Sequence, residues 1–218
     1  MSFIFTTCVF LFNPVINVSN PEYKNERMQG WRNSFYQETQ IVVNDSSIFS
    51  NWTVINQTKV WCTGNGTLTN PYEIAGVNVT YAITIYDSRS HFRIRNCTAA
   101  SIAIYSTGIS FKIQNCTINA THPTLSGILL SNAENGKLIE NVVINGSRPA
   151  ITLMNSQFIQ IESSSMLNCS HGIMVISSSN NYFHNCTLES NTAAGISQSD
   201  SYNNTISDNE INYNCYGI

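Results

Sequence analysis

Gly195-Ile196-Ser197-Gln198-Ser199-Asp200-Ser201-Tyr202-Asn203-Asn204-Thr205-Ile206-Ser207-Asp208-Asn209-Glu210-Ile211 carries the pattern that the chain repeats for most of its length. An isoleucine opens the unit, a small polar residue follows five positions on, and a second isoleucine is followed two residues later by Asp or Asn. The openings are Ile83, Ile102, Ile128, Ile151, Ile173, Ile196 and Ile218, spaced 19, 26, 23, 22, 23 and 22 residues apart. The second anchors read Ile94-Arg95-Asn96, Ile113-Gln114-Asn115, Ile139-Glu140-Asn141, Ile161-Glu162-Ser163, Phe183-His184-Asn185 and Ile206-Ser207-Asp208. Self-similarity at this period marks a stacked array, in which one unit cannot bury its apolar face without its neighbours.

Within each unit the apolar residues alternate, as in Ile83 and Ile85, Ile102 and Ile104, or Phe92 and Ile94. Period two with β-branched side chains means strands rather than helices. A unit of this length, with two or three strands and tight corners, predicts one rung of a right-handed parallel β-helix. The fold class is therefore all-β, a solenoid of about seven rungs. Leucine-rich repeats share the length, but their Leu-x-x-Leu-x-Leu consensus is absent.

Equivalent residues of successive rungs then stack about 4.8 Å apart, so columns share chemistry. Asn96, Asn115, Asn141 and Asn185 are expected to form a structural asparagine column that passes amide hydrogen bonds along one corner. Buried there, Asn96, Asn115 and Asn185 would be poor glycosylation acceptors. Ser88, Thr107, Ala133, Ser156, Ser178 and Ser201 mark a second, small-residue corner, and Phe92 is expected to stack on Phe111.

Outward from the repeats, residues 60–218 read as the β-helix, with Trp61 to Ile74 leading into a first rung near Ile74 to Val79. Residues 20–59 read as an N-terminal cap, with a short helix within 22–38, because an open strand edge invites aggregation. Residues 1–19 read as a signal or targeting remnant. Phe3 to Phe12 is too short to span a bilayer but suits the apolar region of a secretion signal, although no positive segment precedes it. Tyr216-Gly217-Ile218 repeats the opening of earlier units, so the chain reads as truncated at its C-terminus.

Only 11% of the residues are charged and the net charge is −3, with no basic cluster interleaved with aromatics. Nucleic acid is excluded as an expected partner on those grounds. Thirteen Asn-x-Ser/Thr acceptors favour a secreted or cell-surface location. No membrane span is expected.

The Gly-Ile-x-x-x-x-Ser-x-x-Asn-x-Ile-x-x-Asn-x-Ile pattern of Gly195 to Ile211 resembles the parallel β-helix repeat of pectin-lyase-like proteins and of NosD-like extracytoplasmic proteins. The resemblance covers about 60–218 and is specific for fold. It implies lyases, hydrolases, adhesins or structural shafts, and for the NosD-like members a link with copper.

Five features could carry chemistry. Glu140, Glu162 and His184 are expected in one outward stack, the two carboxylates about 5 Å apart as in a retaining glycosidase. The ordinary reading of that stack is a solvated face, and no catalytic residue is assigned. Arg93 over Lys112, with Arg95 on the same face, could grip an anionic glycan. Tyr86 and Tyr105, in one column, could serve as sugar platforms. Cys97 and Cys116 could form an inter-rung disulfide, or fill an inner corner as small apolar groups. Cys169-Ser170-His171 and His184-Asn185-Cys186 form a C-x-H…H-x-C pattern, but they fall at opposite ends of a rung, so no metal and no cofactor is expected. The resulting expectation is a structural or glycan-interacting β-helix, with polysaccharide or surface glycans as partners. A polysaccharide lyase or hydrolase is the alternative, and a NosD-like metal-handling protein another.

Overall fold

A computed structural model describes residues 36–218. The signal or targeting expectation for 1–19 lies outside the described residues, as does most of the helix expected within 22–38. What is described there, Tyr36–Glu38, is a strand.

Each turn of the chain contributes one strand to each of three parallel sheets. Sheet A runs from Tyr36–Glu38 through Val77–Val79, Thr98–Ala99, Thr117–Asn119, Val142–Ile144, Ser165–Leu167 and Thr187–Glu189 to Glu210–Asn212. Sheet B comprises Ile41–Asn44, Ala82–Tyr86, Ser101–Thr107, Ile128–Ala133, Ile151–Met154, Ile173–Ile176 and Ile196–Ser199. Sheet C comprises Tyr72–Ala75, Phe92–Arg95, Phe111–Gln114, Gly136–Ile139, Gln160–Glu162, Tyr182–His184 and Thr205–Ser207, with Cys62–Thr63 added antiparallel at its edge. The opening isoleucines pair directly: Ile83 with Ile102, Ile102 with Ile128, and onward to Ile196.

The strands from Ala82 to Asn212 make six regular turns, and a less regular turn before them brings the strands of sheet B to seven. The preceding turn, opened by Ile41 against Ile83, is interrupted between sheets B and C by helix α1 (Trp52–Thr58). Before the seventh isoleucine, Tyr216 and Gly217 already pair with the preceding rung, their carbonyls accepting from Gly195 N at 2.9 Å and Ile196 N at 3.0 Å. The segment expected as a cap over 20–59 thus contributes sheet strands as well as the covering helix. The long 26-residue spacing is a loop between Asn119 and Ile128. It is tied down by Ser101 Oγ donating to Ser126 O at 2.7 Å, and by a 2.7 Å Ser126–Thr152 hydroxyl contact.

Inward residues of all three sheets are almost entirely buried, and each full burial of such a side chain stabilises by about 1.5–3 kcal/mol. The helix closes the end of this core. Its Asn51 cap accepts from Val54 N at 3.0 Å. Trp52 stacks on Tyr72 at 5.2 Å and contacts Phe92 at 5.3 Å, while its indole donates to Ser88 Oγ at 2.8 Å. Phe92 stacks on Phe111 at 5.2 Å, as expected. Gly64, at φ +93°, turns the chain so tightly that a Cβ there would lie 2.0 Å from Pro71 O.

Corners explain the composition. Among the described residues, twenty non-glycine residues have positive φ, and ten of them are Asn and three Asp, the residue types that tolerate this region best. One such corner follows sheet C: Asn96, Asn115, Glu140, Ser163, Asn185 and Asp208, all with φ between 48° and 56°. The asparagine column therefore requires a correction. Gln114 pairs with Ile139, so Glu140 and not Asn141 occupies the corner. The surface amides do link rungs, with Asn115 Nδ2 donating to Asn96 Oδ1 at 2.8 Å and Asn185 Nδ2 to Ser163 Oγ at 3.1 Å. Asn115 and Asn185 are exposed, not buried, because the left-handed corner turns their side chains outward.

The buried ladder lies one residue later. Asn141 shares its column with Cys97, Cys116, Ser164, Cys186 and Asn209. Its Oδ1 accepts from Cys116 N and its Nδ2 donates to Ile113 O, both at 3.0 Å. Asn209 repeats this toward Cys186 N and Phe183 O, each at 2.9 Å. Asn181 and Asn204, and Asn191 and Asn214, do the same at the other two corners. The interior asparagines thus satisfy amides and carbonyls that the bends remove from the sheets. The small-residue corner also forms a ladder: Ser156, Ser178 and Ser201 hydroxyls accept from Ala133, Ser156 and Ser178 N–H groups.

Candidate functional site

Outward residues of sheet B form a ladder reading Asn44, Tyr86, Tyr105, Ser131, Met154, Ile176 and Ser199. The Tyr86 and Tyr105 rings stack at 5.0 Å with planes 10° apart. Parallel strands hold them at one rung's separation, so the stack is set by the backbone. Burial, and then the neighbouring Tyr86 hydroxyl, push the Tyr105 phenol above its ordinary pKa, which keeps it a neutral hydrogen-bond donor. Immediately after both tyrosines the chain turns through left-handed Asp87 and Ser106. That corner opens a cleft of about 500 Å³ lined by Ser46, Asp87, Ser88, Arg89, Ser106, Gly108 and Ile109. Its rim is ordered by Arg89 N donating to Asp45 Oδ2 at 2.8 Å and Ser46 Oγ to Asp87 Oδ2 at 3.2 Å. The aromatic stack beside a polar, partly charged cleft sets apolar ring surface and hydrogen-bonding atoms side by side.

The outer face of sheet C carries the other expected residues. Arg93 pairs with Lys112, and Lys112 with Lys137, giving three cationic side chains in successive rungs. Arg95 and Arg93 converge on Glu73, at 2.8 and 3.4 Å. Arg95 foremost holds the Glu73 carboxyl below the usual carboxylate range. Glu73 was missed in the sequence, although Tyr72-Glu73-Ile74 has the alternation of Phe92-Arg93-Ile94 one rung on. A smaller hollow of about 140 Å³ lies between His91, Arg93, Ser110, Lys112 and neighbouring apolar groups.

Glu140, Glu162 and His184 are not one stack. The outward column is Arg95, Gln114, Ile139, Glu162, His184. Glu140 sits at the next position, in the corner, where it accepts from Gln114 Nε2 at 3.2 Å. Glu162 lies 3.2 Å from Lys137 Nζ, and His184 Nδ1 lies 3.1 Å from Ser207 Oγ and 3.2 Å from Asp208. The paired-carboxylate reading fails because a one-residue shift of register separates the two side chains.

Cys97 and Cys116 are buried free thiols, each within 3.8 Å of a carbonyl of the preceding rung. Hydrogen bonding between them holds the Cys97 thiol low and pushes Cys116 well above the ordinary thiol range. Among the described residues no three His, Cys, Asp or Glu side chains come together as a metal site. No helix among them is long and apolar enough to cross a membrane.

The model of one family, the right handed beta helix region, matches residues 100–218. The chain belongs to the right-handed β-helix family. The match begins one residue before Ser101–Thr107, the strand that opens the second of the six regular turns, and runs along all three sheets of the β-helix. A search of the curated proteins finds no match.

Proposed function

We propose that this β-helix is an extracytoplasmic shaft that binds polysaccharide or surface glycans on the outer face of sheet B. The observation that carries this reading is the Tyr86–Tyr105 stack beside the Asp87–Arg89 cleft. The rings need no ordering on binding, since the sheet already fixes them, so little conformational entropy opposes contact with a sugar. The rest of the fold supplies rigidity and spacing. The extracytoplasmic location rests on the thirteen glycosylation acceptors and the apolar Phe3–Phe12 stretch.

The test is affinity electrophoresis of the purified chain through gels containing neutral or acidic polysaccharides, with release of reducing ends and unsaturated products followed in parallel. Retardation that falls at least tenfold in both Tyr86→Ala and Tyr105→Ala supports the reading. Turnover abolished by Glu162→Gln or Lys112→Ala would replace it with an enzymatic one centred on sheet C. Absence of both retardation and turnover across the panel would remove the glycan role.

A further inference from the structure

The aromatic stack of sheet B stops abruptly. Tyr105 has Tyr86 on one ring face, and the next ladder position on the other side is Ser131, followed by the half-exposed Met154. Ser131 ends at its hydroxyl, so this position places neither a ring nor a long chain between Tyr105 and Met154. Ladder positions two rungs apart are separated by about 9.6 Å, twice the strand spacing. A single saturated ring stacked on Tyr105 at the usual contact distance of about 3.5–4.0 Å therefore fits between Tyr105 and Met154. A second aromatic ring in place of Ser131 would have closed this gap.

The floor of the gap is polar and its walls are not. Asn132 Nδ2 donates to Ser131 Oγ at 3.4 Å, leaving the Ser131 hydroxyl hydrogen and a second amide hydrogen for a ligand. Asn132 is exposed and held at φ 51°, which keeps its side chain at the edge of the ladder. Leu129, two residues before Ser131 on the same outward face, and Met154 supply apolar contact. None of Tyr105, Leu129, Ser131, Asn132 and Met154 carries a charge.

The geometry points to a subsite for one neutral pyranose ring, inserted between Tyr105 and Met154 with its C–H face on Tyr105 and its hydroxyls on Ser131 and Asn132. This rests on the glycan-binding reading above and narrows it from glycans in general to uncharged hexose units. The apolar ring face of the sugar meets the quadrupole face of the tyrosine, while hydroxyls that lose water regain partners on the floor. A uronate carboxylate would find no cation within the subsite to offset its desolvation.

The decisive variant is Ser131→Met, which continues the ladder with the side chain found one rung on and fills the gap without touching the Tyr86–Tyr105 contact. Binding is read by saturation-transfer and shift-perturbation NMR with methyl glucoside, methyl galactoside and methyl glucuronide, and by the same polysaccharide gels. Far-ultraviolet circular dichroism checks the fold of the variant. The expected result is binding of a neutral glycoside with shifts at Ser131 and Asn132, at least tenfold weaker in Ser131→Met and weaker still for the glucuronide. If Ser131→Met retains full affinity while Tyr86→Ala and Tyr105→Ala lose it, the subsite is wrong and the platform reading survives. If the glucuronide binds as well as the neutral glycosides, the assignment of substrate class is overturned. If the wild-type chain binds no polysaccharide and no glycoside, both readings fall together.

Discussion

The ring of Phe111 occupies the space where a side chain on Gly136 would stand: a Cβ at that position would lie 2.3 Å from Phe111 Cζ. The two residues face each other across sheet C, one rung apart. Here the aromatic run that begins with Trp52, Tyr72 and Phe92 ends against a bare backbone.

Substituting Gly136→Ala should therefore destabilise by about 1–3 kcal/mol, the usual range for overpacking a core. Combined with Phe111→Leu, which removes the ring, the same alanine should cost markedly less. Denaturant midpoints for the two single variants and the double variant give the coupling, and strict additivity would show that the contact does not set the register.

The two kinds of corner asparagine should respond differently. Asn141 is fully buried and serves a backbone N–H and a carbonyl at once. Its replacement by Leu leaves both unpaired, a loss of about 2–6 kcal/mol at about 1–3 kcal/mol for each group. Asn115 is exposed with φ 51°. Asn115→Ala should cost about 1 kcal/mol from left-handed strain, and Asn115→Gly almost nothing. Equal losses for Asn141→Leu and Asn115→Ala in urea unfolding would contradict the assignment of inner and outer ladders.

Thiol labelling should separate Cys215 from the rest of the described cysteines. Cys215 is exposed, whereas Cys62, Cys97, Cys116, Cys169 and Cys186 are buried, with burial pushing the Cys62 thiol up to about 12. In a Cys8→Ser background, mass spectrometry after brief native alkylation should show one label on Cys215, and five more only after denaturation. Early labelling of Cys97, the most acidic of the buried set by its bond from Cys116, would mean that the inner corner opens readily.

His122 gives the fold a pH dependence of defined sign. Its Nδ1 accepts from Thr124 N at 3.3 Å and Leu125 N at 3.1 Å, and its ring packs 4.4 Å from Tyr81. Burial lowers its pKa below the ordinary 6.5. The folded state thus resists a proton that the unfolded chain accepts. The stability it provides is complete above pH 6.5 and declines as the pH falls through that value toward the lower folded pKa. Melting temperatures between pH 7.5 and 5.0 should fall more steeply for the wild type than for His122→Gln, and identical slopes would exclude this contribution.

The fold was legible because its determinants are local and repeated. Alternating isoleucines at a fixed spacing specify strands, and stacking them specifies the solenoid. The candidate site was only partly legible. Tyr86 and Tyr105 stood at equal positions after paired isoleucines, so their stacking followed directly. Glu140 is not placed by the sequence, because Ile139-Glu140-Asn141 imitates the Ile-x-Asn anchor while Leu138 and Ile139 are both apolar and give the alternation no phase. The five-residue comb of Asn204, Asn209 and Asn214, matched by Asn181, Cys186 and Asn191, marks the inner corners and aligns Asn141 with Asn209. Glu73 has no marker in the sequence because it precedes Ile83, the first opening isoleucine of the repeats. Ser131 carried no signal by itself; its meaning comes from standing next to Tyr105 in a ladder.

The hydrogen bonds of all three sheets run along the solenoid axis, each joining one turn to the next. Tension applied between the two ends would load them lengthwise, with three strands sharing the force at every interface. Such a column extends very little before an interface parts, and then gives way turn by turn, each release paying out about 22 residues of slack chain before the next interface is loaded. A tether built this way is stiff under small pulls and yields in steps under large ones.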